Sequence, residues 1–75
     1  MATTMTEWLT AYSAALGIDP PTEDEVNEIL ALAGVAAHAS ERTAAPVSCW
    51  LAARAGIELS EARRLADEVA ERSKE

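Results

Sequence analysis

The sequence predicts an all-α fold, a compact bundle of four short helices forming one small domain over residues 1–75. Three observations carry this prediction. Apolar residues recur every three to four positions in four separate stretches, and no stretch shows strict two-residue alternation. Seventeen of the 37 apolar residues are Ala, the strongest helix former, and Phe is absent. The links between the stretches are short, which favours antiparallel helix neighbours.

The first helix is expected over residues 4–16. Met5, Trp8, Leu9, Tyr12 and Leu16 fall on one face. Thr4 with Glu7 has the spacing of a capping box, and Gly17 is a natural stop. Ile18-Asp19-Pro20-Pro21 then forms a rigid link, because each Pro fixes φ and lacks a donor. Thr22 opens the second helix with Glu25 as its capping partner, and Glu23 and Asp24 sit where the helix dipole favours negative charge. Val26, Ile29, Leu30, Ala33 and Ala37 form its inner stripe. Leu32, Val35 and Ala36 widen that stripe and suit a helix covered on several sides. Gly34 would let a neighbouring helix approach closely. A third helix is predicted to start at Pro46, where a missing N–H costs least, and to end at Gly56. Val47, Trp50, Leu51 and the stem of Arg54 are expected to face inward. Ser60 is the expected N-cap of a fourth helix reaching residue 72, with Ala62, Leu65, Ala66 and Val69 inward. Arg64–Glu68 and Glu68–Arg72 have i,i+4 spacing on its outer face.

The core implied by this composition is small. Ala contributes little volume, and a domain of this size buries only about 60% of the surface its unfolded chain exposes. Both Trp8 and Trp50 are therefore assigned to the core, with a role as binding anchors the alternative. An oligomer or a partner is expected to complete the fold.

Composition also excludes function classes. One Cys permits neither an intramolecular disulfide nor a Cys-based zinc cluster. The first residues lack a basic region followed by a continuous apolar one, and no apolar run approaches the roughly 20 residues that span a bilayer, so a cytoplasmic location is expected. A formal net charge of −7 argues against nucleic acid and against an anionic membrane as partners. The first 41 residues contain no Lys or Arg, which leaves an acidic surface suited to solubility or to a basic partner. No glycine-rich phosphate loop occurs, and the paired carboxylates lie at helix starts or on solvated faces. No enzyme activity and no cofactor are expected.

The polar chemistry gathers in HASERTAAPVSCW, residues 38–50. His38, Glu41, Arg42 and Ser48 are the candidate binding loop. A helix start, a hydroxyl from Ser48 or Thr43 and the guanidinium of Arg42 are the parts of an anion site. The structural alternative has Arg42 bonded to the last carbonyls of the second helix, or to Glu41 or Glu28. Cys49 beside Trp50 reads as a buried, inert thiol. His38, Glu41 and Cys49 follow no recognised metal-ligand spacing, so no metal is assigned.

The order of these features resembles a known family. An EWL helix precedes LGIDPP, an alanine-rich acidic helix ends in His, and ER, AAP, an aromatic-Leu pair and a Gly follow. The pattern is similar to that of a small domain family of high-GC bacteria, found alone or fused behind a MobA-type molybdenum cofactor guanylyltransferase domain. Its most specific segment reads His-x-x-Glu-Arg-Pro-x-Ala-Pro-Leu-Thr, then Phe-Leu and a Gly. His38, Glu41, Arg42, Ala45 and Pro46 fit directly. Thr43 replaces the first Pro, Val47-Ser48 stand for Leu-Thr, Trp50-Leu51 stand for Phe-Leu, and Ala53 takes the place of the Gly. The resemblance covers about residues 5–70. It implies association with molybdopterin-guanine dinucleotide biosynthesis, and not the transferase chemistry, which belongs to the absent nucleotide-binding domain.

Three functional expectations follow. The first is a non-catalytic adaptor that binds a larger protein, either a molybdenum cofactor guanylyltransferase or a molybdenum-dependent oxidoreductase that receives the cofactor. The second is a small module that holds an anion or a cofactor group at the 38–50 loop and the start of the third helix. The third is a self-associating bundle, a homodimer formed through the second helix at Leu32 and Val35.

Overall fold

The computed structural model describes residues 3–73 and contains four α-helices: α1 Met5–Leu16, α2 Glu23–Ala39, α3 Ala44–Ala55 and α4 Leu59–Ser73. The all-α bundle predicted from the sequence is the architecture observed. Helix ends explain most of the boundaries. The Thr4 hydroxyl accepts from the Glu7 N–H at 3.1 Å, and the Thr4 N–H donates to Glu7 Oε1 at 2.9 Å. Thr22 and Glu25 repeat this box at 3.1 and 2.8 Å. Each box satisfies donors that the first helical turn leaves open. Gly17 closes α1 in the left-handed region at φ 76°, donating to Ala14, while Ile18 donates to the carbonyl of Ser13. That pair of bonds is a Schellman motif and needs a residue without a Cβ penalty. Gly56 closes α3 in the same region at φ 69°.

The helix α2 is the hub. Both α3 and α4 pack along it, whereas α1 touches the rest of the bundle sparsely and α3 and α4 hardly touch each other. The molecule is accordingly flattened, with extents of 43 × 28 × 18 Å. Its interior among the described residues is thin: Leu32 is 4% exposed, Ala62 7% and Ser13 6%, and no large side chain is fully buried. The Cys49 thiol points into the α2–α3 contact and donates to the carbonyl of Ile29 at 3.9 Å, and burial raises its pKa. That is the inert environment its apolar neighbours predict.

Several expectations about direction are corrected. Trp8 and Trp50 are not core residues, since each is 59% exposed. The α3 stripe Val47, Trp50, Leu51 and Arg54 has the predicted period but faces outward. The reason is size. Ala45, Ser48, Cys49 and Ala52 occupy the opposite face, and these small side chains let α3 approach α2 closely while the bulky ones are displaced to the surface. The stem of Arg54 likewise stays outside, and its guanidinium lies 5.2 Å from the centroid of the Trp50 ring, a cation–π contact. Pro46 is the third residue of α3, because the turn at Glu41–Ala45 winds the helix in earlier. Ser60 is inside α4, and Ala62 bonds back to the carbonyl of Glu58, which precedes the helix. Gly34 admits no neighbour; a Cβ there would meet nothing within 4 Å. Leu32 cannot offer a dimer surface, because α3 and α4 cover it.

Candidate functional site

The connection from α2 to α3 is short and internally bonded. The Ser40 N–H donates to Ala36, Ala44 to the Glu41 carbonyl at 2.9 Å and Ala45 to the Arg42 carbonyl at 3.1 Å. These bonds fold the connection into consecutive turns that run straight into α3. Two consequences follow. The N–H groups of Ala44 and Ala45 are already used, and Pro46 has none, so the first three residues of α3 present no free donor to an anion. Thr43 lies in the helical region and makes no side-chain cap.

The side chains on this connection point elsewhere. His38, Glu41 and Arg42 are exposed, and among the described residues none of them makes a side-chain hydrogen bond or an ion pair. Arg42 therefore bonds neither Glu41 nor Glu28. The cation that meets Glu28 is Arg63 of α4, 3.5 Å from Oε1, while Glu28 Oε2 is buried without a partner. Ser48 is half-buried and lines the groove between α3 and α4, whose lining includes none of the other three candidates. Among the described residues, no group of three His, Cys, Asp or Glu side chains is placed to hold a metal ion. No helix among them is long and apolar enough to cross a membrane.

What sequence reasoning missed is the exposed aromatic surface. On α1, Trp8 and Tyr12 stack on each other with ring centroids 6.0 Å apart and planes 22° from parallel, and Met5 and Leu16 extend this face along the helix. Beside it runs a groove of about 290 Å³ between α1 and α2, lined by Met5, Leu9, Pro20, Pro21, Val26 and Leu30. A second apolar surface lies on α3 and α4. The available signal was volume: small residues at one face of α3 could have been matched to the Ala-rich face of α2.

Charge separates the two surfaces. Residues 1–41 hold seven carboxylates and no Lys or Arg, whereas residues 42–75 hold six of each sign, so the whole net charge of −7 lies in the first segment. On α4, Arg64 bonds both Glu61 and Glu68, with its Nε 3.0 Å from Glu61 Oε2. The hydrogen bond from Arg64 lowers the Glu61 pKa, and the one to Glu61 raises that of Arg64. On α1, the Thr4 backbone N–H, with the Thr4 side chain second, lowers the Glu7 pKa.

No curated protein matches the chain. No solved structure matches it either. The whole chain, residues 1–75, does match one family, described as a domain of unknown function, and the protein belongs to that family, DUF6457.

Proposed function

We propose that this domain is a non-catalytic adaptor that docks on a larger protein through α1 and the exposed α2–α3 connection. The observation that supports this reading is the α1 face. A stacked Trp–Tyr pair stands in solvent on a helix that the rest of the bundle holds only sparsely. Large aromatics give much contact area at small entropic cost, and they are over-represented among residues that dominate binding. The acidic segment around them suits a partner with a basic surface, since complementary charge accelerates encounter and selects the partner.

The partner class comes from the resemblance at His38, Glu41, Arg42, Ala45 and Pro46. It favours a molybdenum cofactor guanylyltransferase or a molybdenum-dependent oxidoreductase that receives the cofactor. Under this reading, His38, Glu41 and Arg42 remain unpaired because they are contact residues. The alternative, an anion or cofactor group held at the 38–50 loop, ranks second. It would rest on side chains alone, without backbone donors at the start of α3 and with Ser48 turned into the neighbouring groove.

A quantitative pull-down from native lysate tests the adaptor reading, with wild type, Arg42→Ala and Trp8→Ala as baits. A molybdenum cofactor enzyme should be enriched by wild type and lost by both variants, while circular dichroism shows them folded. Enrichment no greater than on blank resin overturns the reading. A saturable shift in melting temperature with molybdopterin, abolished in Arg42→Ala and without any protein enriched, would establish the alternative.

A further inference from the structure

We infer that the α3–α4 face is the contact between two copies of this chain, so that the working unit is a symmetric dimer with its two acidic segments kept clear of the interface. Surface area is the first reason. The chain exposes 5973 Å². A folded monomer of 8.0 kDa is expected to expose about 4,500 Å². The excess of about 1,500 Å² exceeds the roughly 800 Å² that each partner buries in a standard interface.

The location of exposed apolar groups is the second reason. Because α3 and α4 each pack on α2 and hardly on each other, a groove stays open between them with Leu32 at its floor. Leu51, Ile57, Leu65 and Val69 line it, and Leu51 joins it to the outward stripe of Val47 and Trp50. These six side chains are between 39 and 59% exposed, which is far from the burial of a finished core. A two-fold axis needs one patch that complements itself, and a convex stripe beside a concave groove has that form.

Charge directs self-association to this face and away from α1 and α2. A dimer built on α1 and α2 would bring two segments together that carry seven carboxylates each and no cation. Residues 42–75 are neutral, with both signs interspersed. Pairing through α3 and α4 therefore meets no net repulsion. The acidic aromatic face of α1 stays outside this contact.

Sedimentation equilibrium on the full chain tests the inference. The wild type should show twice the mass of 8.0 kDa. Leu51→Glu and Leu65→Glu should each weaken dimerisation by at least about tenfold, the size of effect that loss of a central apolar contact produces. Trp50→Glu, on the most exposed position of the stripe, should do the same with no loss of helical circular dichroism, which separates a broken interface from a broken fold. Trp8→Glu should leave the dimer intact. A wild type that remains monomeric at high concentration overturns the inference. So does a dimer that survives all three α3–α4 variants, or one that only Trp8→Glu breaks. The adaptor reading is tested on a different face, so either can fail alone.

Discussion

The α1 end of the molecule and the α2–α3–α4 body use similar residues under opposite constraints. In the body, small side chains on α2 and α3 meet closely, and Leu32 is enclosed. At the α1 end, larger side chains are available, yet Trp8, Tyr12, Met5 and Leu16 all stay more than half exposed. Apolar bulk alone does not define a core. What places a side chain inside is a neighbouring surface whose shape leaves room for it, and in an Ala-rich bundle that surface favours the small residues. The consequence is a fold whose stability resides in few contacts and whose aromatic area remains available for binding.

Core truncation should break this contrast most visibly. Leu32→Ala removes the one large side chain that α2 buries under both α3 and α4, and should cost about 2–5 kcal/mol. In a domain this small that is a large part of the total stability, and urea or thermal unfolding should show a population unfolded before denaturant is added. Trp8→Ala deletes far more atoms, yet should cost less than about 1 kcal/mol, because most of that surface never leaves water. Equal losses for the two variants would mean that α1 is as firmly packed as the body.

Hydrogen exchange reads the same difference without mutation. Amides of α1 should exchange well before those in the middle of α2, since α1 can open locally without separating α2 from α3 and α4. Coincident exchange across both helices would show that they unfold as one cooperative unit, and the adaptor surface would then be a rigid one.

The sequence made the four helices legible because their signals are local. Thr4–Glu7 and Thr22–Glu25 declare two helix starts, and Gly17 and Gly56 declare two ends, all through bonds that span no more than five residues. The direction of each apolar stripe was not legible in the same way. Val47, Trp50, Leu51 and Arg54 lie on one face by periodicity, but whether that face turns in or out depends on the small residues opposite and on the Ala-rich surface of α2. The candidate loop was partly legible. Its turn was foreseeable from a helix end meeting a helix start, whereas the use of the Ala44 and Ala45 N–H groups depends on how tightly that turn closes. The ion pair of Glu28 with Arg63 joins residues far apart in sequence, and no local pattern announces it.

Gly34 sharpens the contrast on α2 itself. It lies in the helix interior with an ordinary helical φ, and a Cβ would meet nothing. Gly34→Ala should therefore stabilise the domain by about 1 kcal/mol through helix propensity. That gain corresponds to a rise of about 4–8 °C in Tm for a domain of this length. Gly17→Ala and Gly56→Ala should act in the opposite direction, because their φ of 76° and 69° strains any residue with a Cβ. A Gly34→Ala protein that melts lower than wild type would show that something covers this position in solution.

The smallest effect separates the two regions by the origin of their charge interactions. Glu7 and Glu61 both have pKa values below the ordinary 4.5 of a Glu side chain, but for different reasons. At Glu7 the main cause is the Thr4 backbone N–H, a neutral donor fixed by the capping box. At Glu61 it is the hydrogen bond from the charged Arg64, with a Coulombic contribution from the same group. A carboxylate with a depressed folded-state pKa contributes stability that is present above its unfolded value and is lost as pH falls through the folded one. Both sites should therefore weaken in the acid range below 4.5, α1 by fraying at its first turn and α4 by loss of a surface pair. Carboxyl-detected NMR titrations in low and high salt distinguish them. Added salt screens the Arg64 charge, so Glu61 should move back toward 4.5 while Glu7 holds its value. Arg64→Met should abolish the Glu61 shift, and Thr4→Ala should diminish that of Glu7, with the backbone donor retaining part of it only as long as the turn stays formed. If salt moves both sites equally, the α1 cap is governed by the acidic field of residues 1–41 and not by its local hydrogen bonds.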